Sequence, residues 1–513
     1  MAPSHHDSRP LPSGAILTTD HRTDAAGWRA YCEASYKKGG RLIALWGSDE
    51  RPQGRGYAIH AALMTSEGID HLTLPLEAER PAYPSISDLF PAALRMQRAA
   101  YDLLGIFANG AADHREWLRH GAWPAGFFPL RYDFASDTTF PLQEDTYPFV
   151  RVAGEGVHEI PVGPVHAGTI EPGHFRFSVM GERVLRLEER FGYTHKGVEK
   201  RFERLNLAEG AKLAGRVSGD STVAYAWAYS MACESLAKVT PPPRAMWLRA
   251  LWLERERVAN HLGDLGFLAN DAAFVFGLTQ FSCLKEDMLR THHVLFGHRY
   301  LMDAIIPGGV RHNLDAQGMA RIIAETGKIE KTLPILKEIY EDHAGLQDRF
   351  LGTGRVPPET ALSLGVTGLA GRASGQVWDL RVQLPPPPYD QLDVHIASAQ
   401  EGDVAARVAV RFDEAKESLR LIRRILERMP GGDIGAPLPE TSGEAFGLGL
   451  VEGWRGEVLV ALHSDGAHIR RTHLHDPSWQ NWPVLEHATL GNTVPDFPLI
   501  NKSFNLSYSG HDL

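Results

Sequence analysis

Apolar residues change their spacing along this chain, and the change divides it. In the first quarter the apolar runs are short. Residues 41–46 (RLIALW) and 71–75 (HLTLP) are β-rich or apolar stretches between turn residues, which predicts strands, and 57–64 predicts a third despite its alanines. Residues 86–106 space apolar positions at helical intervals behind Ser87 and Asp88, both candidate caps. From Pro124 to about Pro161 proline, glycine and aromatic residues follow without a period, the pattern of a linker. Residues 162–187 read as strands and turns. Long helical periods then take over at 218–238, 243–269, 281–305, 314–340 and 402–429, the second with proline in its first turn. Long helices on short connections predict a bundle. Strand pattern returns at 446–471 (FGLGLVEGW, then EVLVALHS). The reading is an α+β chain. A disordered polar tail (1–13) leads into an α/β domain (14–135), and a linker (136–157) leads into a mainly helical bundle domain with flanking β structure (158–513).

Composition narrows the class. At 513 residues the chain exceeds what one core usually serves, which agrees with two domains. A net charge of −10 gives no overall attraction for nucleic acid or anionic lipid. Its three cysteines, Cys32, Cys233 and Cys283, are far apart in sequence. That excludes a disulfide scaffold, a zinc ribbon and an iron–sulfur cluster held wholly by this chain, and it points to the cytoplasm. The first residues lack an export signal, and no run of about eighteen apolar residues occurs. The most apolar stretch, 223–232, is short and reads as a buried helix, so no direct membrane insertion is expected.

Local motifs alone leave several readings open. His473 and His475 beside Asp476 could form a metal site, but a solvated polar strand is favoured by roughly three to one. His195 to Glu199 (HKGVE) reads as a solvated helix start or as a functional group of charges. Glu171, before a Pro-Gly turn, is of a kind normally found at the surface. GxGxxG after a strand, Walker A, GxSxG and HExxH are all absent, which removes the usual support for nucleotide binding and for hydrolase chemistry.

Taken in order, the fragments resemble a known family. GPVHAG (163–168), EPGHF (171–175) and YTHKGVEK (193–200) resemble the opening of formate hydrogenlyase large subunits and of the D-type subunit of complex I (NADH-quinone oxidoreductase). Residues 216–234 are similar to the helix that carries the first cysteine pair in nickel–iron hydrogenases of the formate hydrogenlyase / hydrogenase-4 type. ERVANHLGD (256–264) is similar to a helix core shared by both groups, and GVTGLAGRASGQVWDLR (365–381), 452–457 and 464–466 resemble complex I. Upstream, RAAYDLLGI (98–106) and PLR (129–131) are similar to the C-type subunit of complex I. The resemblance implies a fused C–D arrangement, in which a C-type fold is followed by a D-type fold.

The departures from the family decide the chemistry. Hydrogenases hold nickel and iron through RxCGxC and DPCxxC. Here the motifs read Arg216-Val217-Ser218-Gly219-Asp220-Ser221 and Asp476-Pro477-Ser478-Trp479-Gln480-Asn481, and Tyr225 replaces the usual following histidine. Ser218, Ser221, Ser478 and Asn481 cannot replace soft thiolates, so no metal site and no hydrogenase activity are expected. The quinone-binding histidine and tyrosine positions of complex I are occupied by Ile170 and Gly219, while His166 keeps the first histidine of that loop. Quinone remains an acceptor to consider, in another pose. His166, Glu171, His195, Glu199 and Asp476 are the candidate cavity groups, and whether the chain is itself catalytic or a scaffold stays open. The resemblance implies no cofactor bound by this chain and a 4Fe-4S cluster in a partner. The implied partners are an iron–sulfur subunit resembling the B-type subunit of complex I, a ferredoxin-like iron–sulfur subunit and antiporter-like membrane subunits, without nucleic acid. It implies a subunit that docks the iron–sulfur partner and couples electron transfer to ion translocation. Its place would be peripheral, on the inner face of the cell membrane.

Overall fold

The computed structural model describes residues 7–9, 17–166, 170–439, 441–466 and 468–513. Of the tail expected at 1–13, only Asp7–Arg9 lies among them, and it pairs as a strand. The remainder lies outside the described residues. The first half is built on a five-stranded sheet of β1 (Asp7–Arg9), β2 (Thr18–Arg22), β3 (Arg41–Asp49), β4 (Tyr57–Met64) and β5 (Ile69–Leu76), in the order β1-β2-β5-β4-β3. The pair β2–β5 is parallel and the others antiparallel, with helix α1 (Ala25–Lys37) as the connection from β2 to β3. The three predicted strands are β3, β4 and β5.

Helix α2 (Ala93–Leu104) lies between β6 (Ala82–Pro84) and β7 (Phe107–Asn109), a parallel pair. It starts later than the sequence pattern implied. Pro91 disfavours helical geometry in the residue before it, so the helix forms only beyond it. Ser87 and Asp88 are not its caps; Asp88 instead pairs with Arg29 of α1 at 2.5 Å. Residues 124–156 form neither helix nor strand, yet they are held down. Arg190 pairs with Asp145 at 2.5 Å, and Tyr147 accepts a hydrogen bond from Arg98 at 2.7 Å.

Beyond them, β8 (Val157–Val162), β9 (His174–Met180) and β10 (Arg183–Arg190) form an antiparallel sheet. Helices α3 (Val198–Phe202), α4 (Leu207–Ala214), α5 (Thr222–Ala237), α6 (Pro243–Asp271) and α7 (Val275–Phe296) follow. Helix α7 stops short of the expected end because Gly297 takes a left-handed conformation, φ 77°, and closes it. Ile305–Ile306 (β11) and Gly309–Val310 (β12) then make a short ladder before α8 (Ala316–Asp342). Four short helices come next: α9 (Ala344–Phe350), α10 (Pro358–Leu364), α11 (Gly368–Ala373) and α12 (Leu380–Gln383). The chain ends with α13 (Val404–Arg428), the antiparallel sheet of β13 (Glu444–Glu452), β14 (Glu457–Asp465) and β15 (Ile469–His475), and helices α14 (Ser478–Thr489), α15 (Phe497–Phe504) and α16 (Tyr508–Asp512).

Two helices explain how the second half is organised. α5 is apolar on all sides and is buried throughout except at its last residue, as a central core helix must be. α6 is equally central, with 24 of its 29 residues buried, but it carries ERER and NHLGD. Charges inside a core need partners, and the surrounding elements supply them. Arg249 pairs with Glu234 at 2.6 Å, Glu254 with Arg381 at 3.0 Å, His261 with Glu414 at 2.8 Å and Asp264 with Arg411 at 2.9 Å.

The two sheets meet face to face. Ile43, Ala44, Trp46 and Ala62 of the first half pack on Leu448, Leu450, Leu459 and Ala461 of the second. On its other side β13 rides on α5 so closely that a methyl group at Gly447 or Gly449 would run into the carbonyls of Ala232 or Ala228. Gly449→Ala is therefore expected to cost about 1–3 kcal/mol, as overpacking usually does, read as a lower urea midpoint. An unchanged midpoint would mean that strand and helix can separate freely.

Candidate functional site

Two turns place the four positions expected from the sequence to be former metal-ligand positions. Ser218 and Ser221 lie in the turn that opens α5, Ser478 and Asn481 lie in the first turn of α14, and all four are buried. The Ser218 hydroxyl donates to Asp220 at 2.8 Å. Its proton is thereby committed, so the 3.0 Å contact with Ser507 is donated by Ser507. Ser478 Oγ accepts from the Ser507 backbone N–H at 2.9 Å. Arg455 grips Asp220 through two nitrogens at 2.8 and 2.5 Å and reaches Ser221 Oγ at 3.2 Å. Asn481 pairs in both directions with the backbone of Thr367, each bond 3.1 Å. Asp476 accepts from Tyr225 at 2.8 Å and from the Ser478 N–H at 2.9 Å.

A nickel–iron centre does not fit these residues. Hydroxyl and amide groups are hard, weakly basic ligands, and each is already used by the protein. Among the described residues, no group of three or more His, Cys, Asp or Glu side chains could hold a metal ion. Burial alone would raise the Asp220 carboxyl, but Arg455 outweighs it and holds the group at about 2. An arginine–carboxylate pair closes the turn that opens α5.

Ile170 and Gly219, expected from the sequence at the quinone-binding histidine and tyrosine positions, offer no ring. Ile170 stands 40% exposed at the end of its loop, and residues 167–169 lie outside the described residues. Next to Gly219 there is open space: an added Cβ meets no atom within 4 Å. His166 donates to the Gly173 carbonyl at 2.8 Å and so supports the turn.

The remaining candidates fall into separate places. Glu199 is buried between His473 at 2.7 Å and Arg471 at 3.1 Å, so it is not part of a solvated helix start. Burial pushes its carboxyl up, but the neighbouring Arg471 and His473 prevail and hold it at about 2. His195 donates to the Asp512 carbonyl at 2.7 Å. His195 and Glu199 share a cavity of about 40 Å³, walled by Met96, Ala99 and Leu103 of α2. Glu171 is exposed and accepts from the Ser509 N–H at 3.2 Å. Ser507, Ser509 and Asp512 near the end of the chain thus reach Ser218, Ser478, Glu171 and His195 in turn.

The reading of His473, His475 and Asp476 as a solvated strand is overturned, because all three are buried, His473 against Trp46 of the first sheet and Asp476 against Tyr225 of α5. Trp46 stacks on His473 at 5.0 Å and on His60 at 5.2 Å, and His71 stacks on Phe446 at 4.4 Å. A strand whose two faces are both covered keeps no amphipathic signature, so its burial leaves no local mark in the sequence.

Arg455, Asp220, Ser507, Asp512 and Thr367 also belong to the site, and the sequence reading missed them. Asp220 stood inside the motif at 216–221, and Arg455 inside the stretch 452–457, both already singled out. A carboxylate at the start of a buried helix needs a cation, and that need was the available signal. The GLAGRASG stretch (368–375) is packed into the core from residue 368 to 374. Its Arg372 is buried, bonded to Glu414 at 2.7 Å and Glu452 at 2.8 Å.

Residues 22–140 match the respiratory-chain NADH dehydrogenase 30 Kd subunit family, and residues 277–444 match the 49 Kd subunit family. Formate hydrogenlyase subunit 5 of Escherichia coli is 31% identical over 486 residues, covering 93% of this chain and 85% of that one. Hydrogenase-4 component G of the same organism is 32% identical, with 93% and 84% covered. The NADH-quinone oxidoreductase C/D subunit of Bacteroides thetaiotaomicron is 29% identical, with 81% and 82% covered. Among solved structures, a chain of the membrane-bound sulfane sulfur reductase, an archaeal respiratory membrane complex, superposes with a TM-score of 0.66 at 26% identity, covering 71% of this chain and all of that one. The chain belongs to the family that unites the large subunits of formate hydrogenlyase and hydrogenase-4 with the fused C/D subunits of NADH-quinone oxidoreductase.

Proposed function

We propose that this chain is a subunit of a membrane-associated oxidoreductase complex of the complex I and formate hydrogenlyase kind, working without a nickel–iron centre. In that role it docks an iron–sulfur subunit resembling the B-type subunit of complex I and couples electron transfer to ion translocation through antiporter-like membrane subunits. A ferredoxin-like subunit would bring electrons to the 4Fe-4S cluster of the docked partner. The observation that carries this reading is one contrast. The chain aligns over 93% of its length with formate hydrogenlyase subunit 5, while Ser218, Ser221, Ser478 and Asn481 are closed into hydrogen bonds.

Attachment to the membrane runs through partners. Among the described residues no helix is long and apolar enough to cross a membrane. Its place in this reading is the cytoplasmic face. Co-expressed with its partner genes, the chain is expected in the membrane fraction and to be released by mild detergent together with the other subunits. Such a preparation should neither take up nor evolve hydrogen with artificial dyes. A chain recovered free of membranes beside its partners, or dye-linked hydrogen uptake dependent on this chain, would refute the reading.

A further inference from the structure

Glu256 is a buried carboxylate outside the ionic network. Glu256 of α6 accepts hydrogen bonds from the N–H groups of Val223 at 2.7 Å and Ala224 at 3.2 Å, free donors at the start of α5. It is 6% exposed, and no ion pair is formed by it among the described residues, whereas Glu254 and Glu414 on the same bundle are both paired. Next to it lies a cavity of about 10 Å³, lined by Gly219, Asp220, Asn260, Lys285, His292 and Tyr300 among others. That is about the space one water needs.

His292, which lines the same cavity, offers such a water an acceptor. Its Nδ1 lies 2.8 Å from the Arg299 carbonyl, which can only accept, so Nδ1 carries the ring proton and Nε2 is a bare acceptor. Nε2 is buried with no partner among the described residues. Glu256 and the His292 imidazole line one water-sized space and together offer the two ends of a proton relay. The rim offers the way out: Lys285 is half-buried and Tyr300 is 41% exposed. Inward, Asp220 connects the cavity to Ser218 and Arg455.

We propose that Glu256 is a proton-exchanging carboxyl, which gives its proton to a water in this cavity and regains it from solvent past Lys285 and Tyr300. The proposal deepens the coupling role and rests on it for its purpose, though not for its test. Charge arriving beyond Asp220 would raise the proton affinity of Glu256, and the cavity would let the proton follow. The groups that face it are Asp220 from the turn, Arg257 on its own helix, and Lys285 and His292 from α7. Burial drives the carboxyl up to about 8, and the Val223 and Ala224 N–H groups offset only part of this.

The test is infrared difference spectroscopy on the full chain in its complex, titrated through neutral and alkaline pH in H₂O and D₂O. A protonated-carboxyl carbonyl band should fade with a midpoint near 8, shift within the mixing time in D₂O, and vanish in Glu256→Gln. Glu189, Glu452 and Asp102 also have raised pKa values, so the band is assigned by the difference that Glu256→Gln makes. Lys285→Met, which leaves the carboxyl in place, should slow the D₂O shift several-fold. A carboxyl that merely caps α5 would give a band that does not exchange on mixing. A titrating band unaffected by Glu256→Gln, or one indifferent to D₂O, overturns the proposal. Failure of the coupling reading shows elsewhere: the band and its exchange would persist in a chain that has no membrane partners.

Discussion

Arg372→Ala is expected to destabilise the protein by about 3–5 kcal/mol, the cost of stranding buried charges. Arg372, Glu414, Glu452 and Asp379 are all nearly inaccessible to solvent. The guanidinium bonds Glu414 at 2.7 Å and Glu452 at 2.8 Å and lies 3.6 Å from Asp379. Without it three carboxylates would share Arg381, Arg257 and His261. Arg372→Lys should recover little, because one ammonium cannot reproduce the fork. Glu452→Gln should cost about 1 kcal/mol or less, since the amide oxygen still accepts from Arg372. Glu452 also gives up little charge, because burial, with Asp379 next, raises its pKa to about 7. Urea unfolding of the full chain reads all three variants. An Arg372→Ala midpoint equal to wild type would show that water enters this core.

Acid is the second large perturbation. His463, half-buried, and His475, buried, lie in and beside the seam of stacked rings, and desolvation lowers both to about 3, helped by Arg470 for His463 and by His473 for His475. An unfolded histidine takes its proton near 6.5. The stability these groups contribute is therefore fully present above about pH 6.5 and is lost as pH falls towards about 3. At pH 5 the loss is about 2 kcal/mol for each ring, about 4 together. Carboxyls with raised pKa values act with the opposite sign. Glu256 at about 8 and Glu452 at about 7 are costly when ionised in neutral solution and are relieved by acid. The histidine contribution is isolated by comparison with His463→Phe/His475→Phe, which keeps the rings and removes the protons. Between pH 7.5 and 5 wild type should lose about 4 kcal/mol relative to that variant. Parallel pH profiles would mean that both rings are hydrated in the native state.

What could be read from the residues followed the physics of each signal. The long helices were visible because their periods extend over many turns, and β3, β4 and β5 because turn residues bracket them. The start of α2 was misplaced, since Ser87 and Asp88 look like caps while Pro91 and Arg29 decide otherwise. Helix α7 was cut short by Gly297, whose left-handed turn leaves no mark in a hydrophobic pattern. In the site, Ser218, Ser221, Ser478 and Asn481 were legible as a set because they sit inside ordered motifs. Their hydrogen-bond network was not, because it is assembled from residues distant in sequence. Arg455 meets Asp220 across 235 positions, and Ser507 meets Ser218 across 289. His473 and His475 misled for a related reason: burial of β15 comes from the first-half sheet, and only tertiary structure brings that sheet over them.

The most direct test is to isolate the native complex from membranes through a tag on this chain, then identify its subunits and measure metals on the same sample. A redox-complex subunit without a nickel–iron centre should bring down an iron–sulfur subunit and antiporter-like membrane subunits in fixed proportion to itself, with iron present and nickel far below one atom per chain. Near-equimolar nickel, removed by chelation together with hydrogenase activity, would contradict it.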